Sequence, residues 1–191
     1  MTTVLVAVVL GLVAGAAGGG RLSDLGGAHL RSWSLLVAGA ALQVGTDRGH
    51  LQGTAAFLVT FLSYSALAAF AGRNLARPGM GVILVGVLLN LASIGANGGM
   101  PVEAHAIVSA RVASAEDVAD LTFGGKRHLA GPSDHLRALD DTIPDWITHQ
   151  VLSIGDLVIA VGITALVAAL LRPAPPAGAR TGADRGRRAT G

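Results

Sequence analysis

Three stretches of twenty or more residues, 1–20, 49–72 and 78–102, contain no Asp, Glu, Lys or Arg. A bilayer hydrocarbon core of about 30 Å is crossed by about 20 helical residues at about 1.5 Å each. Each stretch is therefore long enough to span one. A fourth run, Ile147 to Leu171, is interrupted by a single charge, Asp156. A fifth, Ser32 to Thr46, is shorter, and reaches the needed length if Leu30 and a snorkelling Arg31 extend it. The pattern predicts an all-α membrane protein, a bundle of about five transmembrane helices at 2–20, 30–46, 51–71, 80–97 and 147–171. A long extracytoplasmic loop at 98–146 separates the fourth helix from the fifth, and a tail at 172–191 follows as a disordered segment.

Composition agrees with this pattern. Hydrophobic residues make up 51% and charged ones only 14%, and the charges gather in short stretches where a soluble domain would spread them over its surface. With 191 residues one domain is expected, and in a bilayer that is a single helical unit. The absence of cysteine excludes disulfides, thiolate metal ligands and a cysteine nucleophile. Arginine outnumbers lysine thirteen to one amid abundant Ala, Gly and Val, which reads as GC-rich bacterial coding. A pI near 9.9 would suggest nucleic acid in a soluble protein. Here the excess lies in the tail, with five Arg against one Asp over 172–191, so the expected partners are the lipid bilayer and anionic lipid at the tail, and not nucleic acid.

The first run competes with a signal-peptide reading, because Ala14-Gly15-Ala16 has the small-x-small form of a cleavage site. No basic residue precedes the run, however, and Arg21 and Arg31 follow it, which favours a retained helix. Gly11, Gly15 and Gly19 recur every four residues and offer a smooth face for close helix approach. With five spans, the first loop (Arg21, Arg31), the third loop (Arg73, Arg77) and the tail share one side, while the short loop opposite has only Arg48. The positive-inside rule then makes the tail cytoplasmic and the amino terminus and long loop external, in a bacterial plasma membrane.

Asp156 is the residue to explain. A carboxylate inside a membrane helix costs about 2.5–3.5 kcal/mol on insertion scales, so it must face protein. On a helix starting at Ile147, His149, Ser153 and Asp156 share a face. Asn90, Ser93 and Asn97 do the same on the fourth span, and Gln43 lies near the outer end of the second. Asn90 and Asp156 are expected at similar depth. The bland reading, hydrogen-bond glue between helices, takes precedence. A polar cavity for an ion, proton or small headgroup, built from Asp156, Ser153, His149, Asn90, Asn97 and Gln43, comes second. Catalysis is the weakest, because only His149 could serve Asp156 as a second titratable group.

Asn97-Gly98-Gly99-Met100-Pro101 ends the fourth span, with Gly98 or Gly99 free to turn left-handed. The loop beyond carries eight acids and four bases over 103–145. It holds two candidate short helices, near Ser114 to Leu121 and Leu136 to Leu139. His105, His128 and His135, with Asp134, Asp140, Asp141 and Asp145, show no metal-ligand spacing. Acids on such a loop are ordinarily solvated, and no metal or cofactor is expected. Gly124-Gly125-Lys126 lacks a phosphate-loop pattern. Trp33 and Trp146 fit interfacial anchors.

The run Asn90-Leu-Ala-Ser-Ile-Gly-Ala-Asn97-Gly-Gly-Met-Pro-Val102 and the later Ser153-Ile-Gly-Asp156 resemble a family of small bacterial integral membrane proteins of unknown function. Gly20 to Ser23 and Gln43 fit the same family. The resemblance covers residues 1 to about 171 and implies a shared membrane fold without an activity. Function is therefore read as a structural or small-ligand-binding membrane component, in a homo-oligomer or membrane complex. The alternatives are a transporter or channel subunit, and a membrane enzyme acting on lipid or cell-wall precursors.

Overall fold

The computed structural model describes residues 2–23, 30–48, 51–121, 123 and 126–171. The expected disorder and lipid contact of the tail at 172–191, and the Gly124-Gly125 pair, lie outside the described residues. The fold is mostly helical, with α1 (Thr2–Ala17), α2 (Trp33–Arg48), α3 (Gly53–Arg73), α4 (Met80–Asn97), α5 (Ala104–Ser109) and α6 (Ile154–Leu170). Two helices, α3 and α4, are long and apolar enough to cross a membrane, and α1, α2 and α6 are shorter apolar helices.

The five long helices pack chiefly in the order α2, α3, α4, α6, α1. Within the bundle expected from the sequence, the main neighbours thus form a row. Consecutive helices along α2, α3 and α4 run antiparallel. At one end Asn74 joins the backbone of Arg31, donating to its carbonyl and accepting from its N–H, and Arg73 donates to Ser32. The edge helix α1 runs parallel to α6: Gln150 donates to Thr2 near their starts and Thr164 donates to the carbonyl of Ala7 further on. Gly11 and Gly15 lie against Val167 and Leu171, where a Cβ would collide. Gly11 and Gly15 of the expected small-residue face are used there, whereas Gly19 lies beyond the helix and meets nothing within 4 Å. Three glycines then end α1 in a Schellman turn, with Gly20 donating to Gly15, Gly19 donating to Ala16 and Gly19 at φ +84°.

The connection between α4 and α6 is a folded cap, not a bare loop. Strand β1 (Met100–Val102) pairs in parallel with β2 (Arg127–Leu129) and bridges to Asp141 on its other side. Strand β3 (Ile143–Asp145) pairs antiparallel with β4 (Gln150–Leu152). Val102, Ala106, Ile107, Ala110, Val118 and Val151 form the cap's own apolar core. The two expected short helices are 3-10 turns at Val118–Asp120 and Arg137–Leu139. The sequence reading did not anticipate α5 or the strands.

One boundary moves with consequences. The last helix begins at Ile154, not Ile147. Asp145 accepts from the backbone of Ile147 and Thr148, His149 turns at φ +51°, and Gln150 to Leu152 are strand. Helix α6 starts only where Ser153 caps it.

Candidate functional site

Ser153 and Asp156 form a reciprocal capping box: the Asp156 N–H donates to Ser153 Oγ at 3.0 Å, and the Ser153 N–H to Asp156 Oδ2 at 3.3 Å. Two of the orphan donors at the helix start are thereby satisfied. Asp156 is thus a first-turn residue at the positive end of the helix dipole. It does not lie in the interior of a helix starting at Ile147, and the shared face with His149 does not exist. His149 instead sets its ring Nδ1 3.1 Å from the carbonyl of Ala110 in the cap.

Asn90, fully buried on α4, ties this cap to the neighbouring helices. Its Nδ2 donates to Asp156 Oδ1 at 2.8 Å, and its Oδ1 accepts from Ser153 Oγ at 2.9 Å. The Tyr64 phenol of α3 lies beside Asn90, and Asp156, Asp141 and Arg127 lie close enough to act on it electrostatically. Three helices therefore meet at one carboxamide. The expected meeting of Asn90 and Asp156 is present, and Tyr64 is the member that sequence reading missed.

Beneath the cap are two buried acids. Asp140 and Asp141 are 0% and 1% exposed, where solvated loop acids were expected. Consecutive extended residues face opposite ways, and these two do. Ser93 on α4 donates to Asp140 Oδ1 at 3.2 Å, and burial raises the pKa of that carboxyl against the pull of this hydrogen bond. Asp141 faces Arg127, whose Nη2 stands 2.8 Å from Oδ2 while its N–H points to the carbonyl of Val151. The pair is close, yet among the described residues neither Asp141 oxygen receives a directed hydrogen bond, nor does Asp140 Oδ2. Burial pushes Asp141 up to about 7, with Arg127 pulling it down and Asp156 pushing it further up. No signal in the sequence separates this acid pair from solvated ones, because the segments that enclose them, α4, β1 and β2, are distant in sequence.

The other expected residues are dispersed. Asn97 clamps the backbone of His135, donating to its carbonyl at 2.9 Å and accepting from its N–H at 2.7 Å, so it seats the cap and is not part of the Asn90 node. Gln43 is on α2, and α3 lies between that helix and α4. Gly98 takes the left-handed conformation, φ +71°, that ends α4. At Gly99 a Cβ would press on His128 and Lys126 of the neighbouring β2 segment, and Pro101 accepts from the Asp141 N–H. His128 lies 3.1 Å from Asp134, and His105 is exposed on α5. Among the described residues no three His, Cys, Asp or Glu side chains converge as a metal would require.

Between the cap and the start of α3 opens a cleft of about 670 Å³. Gln52, Gly53, Thr54 and Phe57 form one wall, Gly98 and Gly99 the floor, and Leu121, Phe123 and Arg127 to Leu129 the other wall. Arg127 therefore lines the cleft while its Nη2 pairs with Asp141.

No curated protein and no solved structure matches this chain. Residues 28–168 match the model of DUF5317, a family of unknown function, and the chain belongs to that family.

Proposed function

We propose that this chain is a bacterial plasma-membrane protein of five spans, α1 to α4 and α6, with the amino terminus and cap outside and the carboxyl terminus inside. It serves as a structural or small-ligand-binding component whose working face is the capped outer end. The observation that carries this reading is an apolar belt between two differently charged ends. In the most apolar stretches of α3 and α4 only 28% and 33% of residues are buried, whereas the core helix of a soluble protein is mostly buried. Leu5, Val13, Leu58, Leu62, Val85 and Val161 are each more than half exposed. An uncovered apolar surface of this extent needs lipid or a partner. The end away from the cap gathers Arg21, Arg31, Arg73 and Arg77, in keeping with a cytoplasmic face.

Binding is favoured over conduction by the seam between α4 and α6. Along it Gly79, Gly86, Gly155 and Gly162 bring the two backbones together so closely that a Cβ at any of them would overlap the facing helix. The polar side chains of Asn90, Ser153 and Asp156 occupy only the capped end of that seam. The test is extraction of isolated membranes with alkaline carbonate. The chain is expected to stay in the membrane pellet, and release into the supernatant contradicts the reading.

A further inference from the structure

The cleft is amphipathic in a particular arrangement. Phe57, Leu121 and Phe123 supply apolar wall, while Arg127 lines the cleft from the β2 side. Among the described residues, the ion pair of Arg127 with Asp141 and its hydrogen bond to the Val151 carbonyl both use Nη2. A guanidinium carries five N–H donors in a planar fork suited to phosphate oxygens. The cleft also includes Gly53 and Thr54, the first turn of α3, where Gln52 contributes no side-chain cap and the helix dipole favours negative charge. One to two turns further along the same helix, Leu58, Phe61 and Leu62 are exposed on the belt assigned to lipid. The apolar wall, the Arg127 guanidinium and the lipid-facing helix thus meet at the boundary between cap and membrane. A volume of about 670 Å³ lies in the middle of the range that holds small organic ligands.

We infer that this cleft binds an anionic phospholipid of the outer leaflet, its phosphate against Arg127 and the start of α3 and part of an acyl chain along Phe57, Leu121 and Phe123. The inference rests on the membrane reading above and names the ligand class of its outer face. A free phosphate would use only the polar wall, and a zwitterionic lipid would bring an ammonium group toward Arg127. The site is distinct from the basic tail at 172–191, which carries its own five Arg.

Native mass spectrometry of the detergent-purified full chain, titrated with phosphatidylglycerol, phosphatidylcholine and glycerol phosphate, tests it. Phosphatidylglycerol is expected to be retained about tenfold better than phosphatidylcholine, the weight of a charge-assisted hydrogen bond. Thr54→Trp fills the cleft from an exposed position without touching the ion pair, and should abolish the adduct while the circular dichroism stays that of the parent. Arg127→Gln should remove the preference for the anionic lipid. Equal retention of the two lipids, an unchanged adduct in a folded Thr54→Trp, or competition by glycerol phosphate at the concentration of the lipid overturns the inference. Release of the chain from carbonate-washed membranes would instead remove the membrane reading. Unselective lipid retention by a chain that stays inserted removes this inference alone.

Discussion

At the scale of single residues, Asn90 and Asp141 have opposite thermodynamic signs. Asn90→Ala would strand Ser153 Oγ and Asp156 Oδ1 in a buried place and release Tyr64. The expected cost is about 2–4 kcal/mol, read as a lowered unfolding midpoint in detergent. Asp156→Asn keeps an acceptor for Asn90 and loses charge at a helix start, so it should cost only about 0.5–1 kcal/mol. Equal losses in the two variants would contradict the hierarchy. For Asp141, the ordinary carboxyl value of 3.8 rises to about 7 in the folded chain, chiefly by burial. Between those values the unfolded chain has released a proton that the fold still holds. Stability should therefore fall as pH rises through this window and level off above about 7. A rise of that size corresponds to roughly 4 kcal/mol. Asp141→Asn is expected to flatten the profile, raising the midpoint at pH 8 and changing it little near pH 4. A parent with no slope between the two pH values would refute the assignment.

At the scale of elements, the α4 and α6 contact depends on missing side chains. A Cβ on Gly155 would overlap the Asn90 carboxamide and one on Gly86 would press on Gly155 and Ile159. Gly155→Ala is expected to cost about 1–3 kcal/mol or more and to lower membrane yield, as overpacking does. Gly45→Ala on α2 meets nothing within 4 Å and should be neutral or gain up to about 1 kcal/mol from helix propensity. Helices α1 to α4 were legible because charge-free runs bounded by Arg, Gly and Pro leave few alternatives. The start of α6 was not, because Val151-Leu152 is as apolar as the helix it precedes, and a short apolar run does not distinguish strand from helix. The signal that could have placed it is Ser153-x-x-Asp156, a capping pattern directly before a long apolar run. Reading it as a helix interior made an ordinary cap residue look like an acid deep in the membrane.

At the scale of the whole molecule, the chain is a helical row with Arg21, Arg31, Arg73 and Arg77 gathered at one end and an acid-rich folded cap on the other. The sorting was legible from arginine counts alone. The cap was not, because its core joins residues far apart in sequence, Val102 with Val151 among them, through strands of three residues that leave no periodic signature. The buried Asp140 and Asp141 follow from that enclosure, and so does the cleft. The account as a whole depends on the cap and the Arg end lying on opposite sides of a membrane. The chain has no cysteine, so single cysteines can report side without background. Ala115 is exposed in the cap and Ala76 is exposed in the turn between α3 and α4 at the Arg end. The measurement is labelling of Ala115→Cys and Ala76→Cys with a membrane-impermeant maleimide in intact and permeabilised cells. The account predicts that Ala115→Cys labels in intact cells and Ala76→Cys only after permeabilisation. Equal labelling of both in intact cells, or the reverse order, would contradict it.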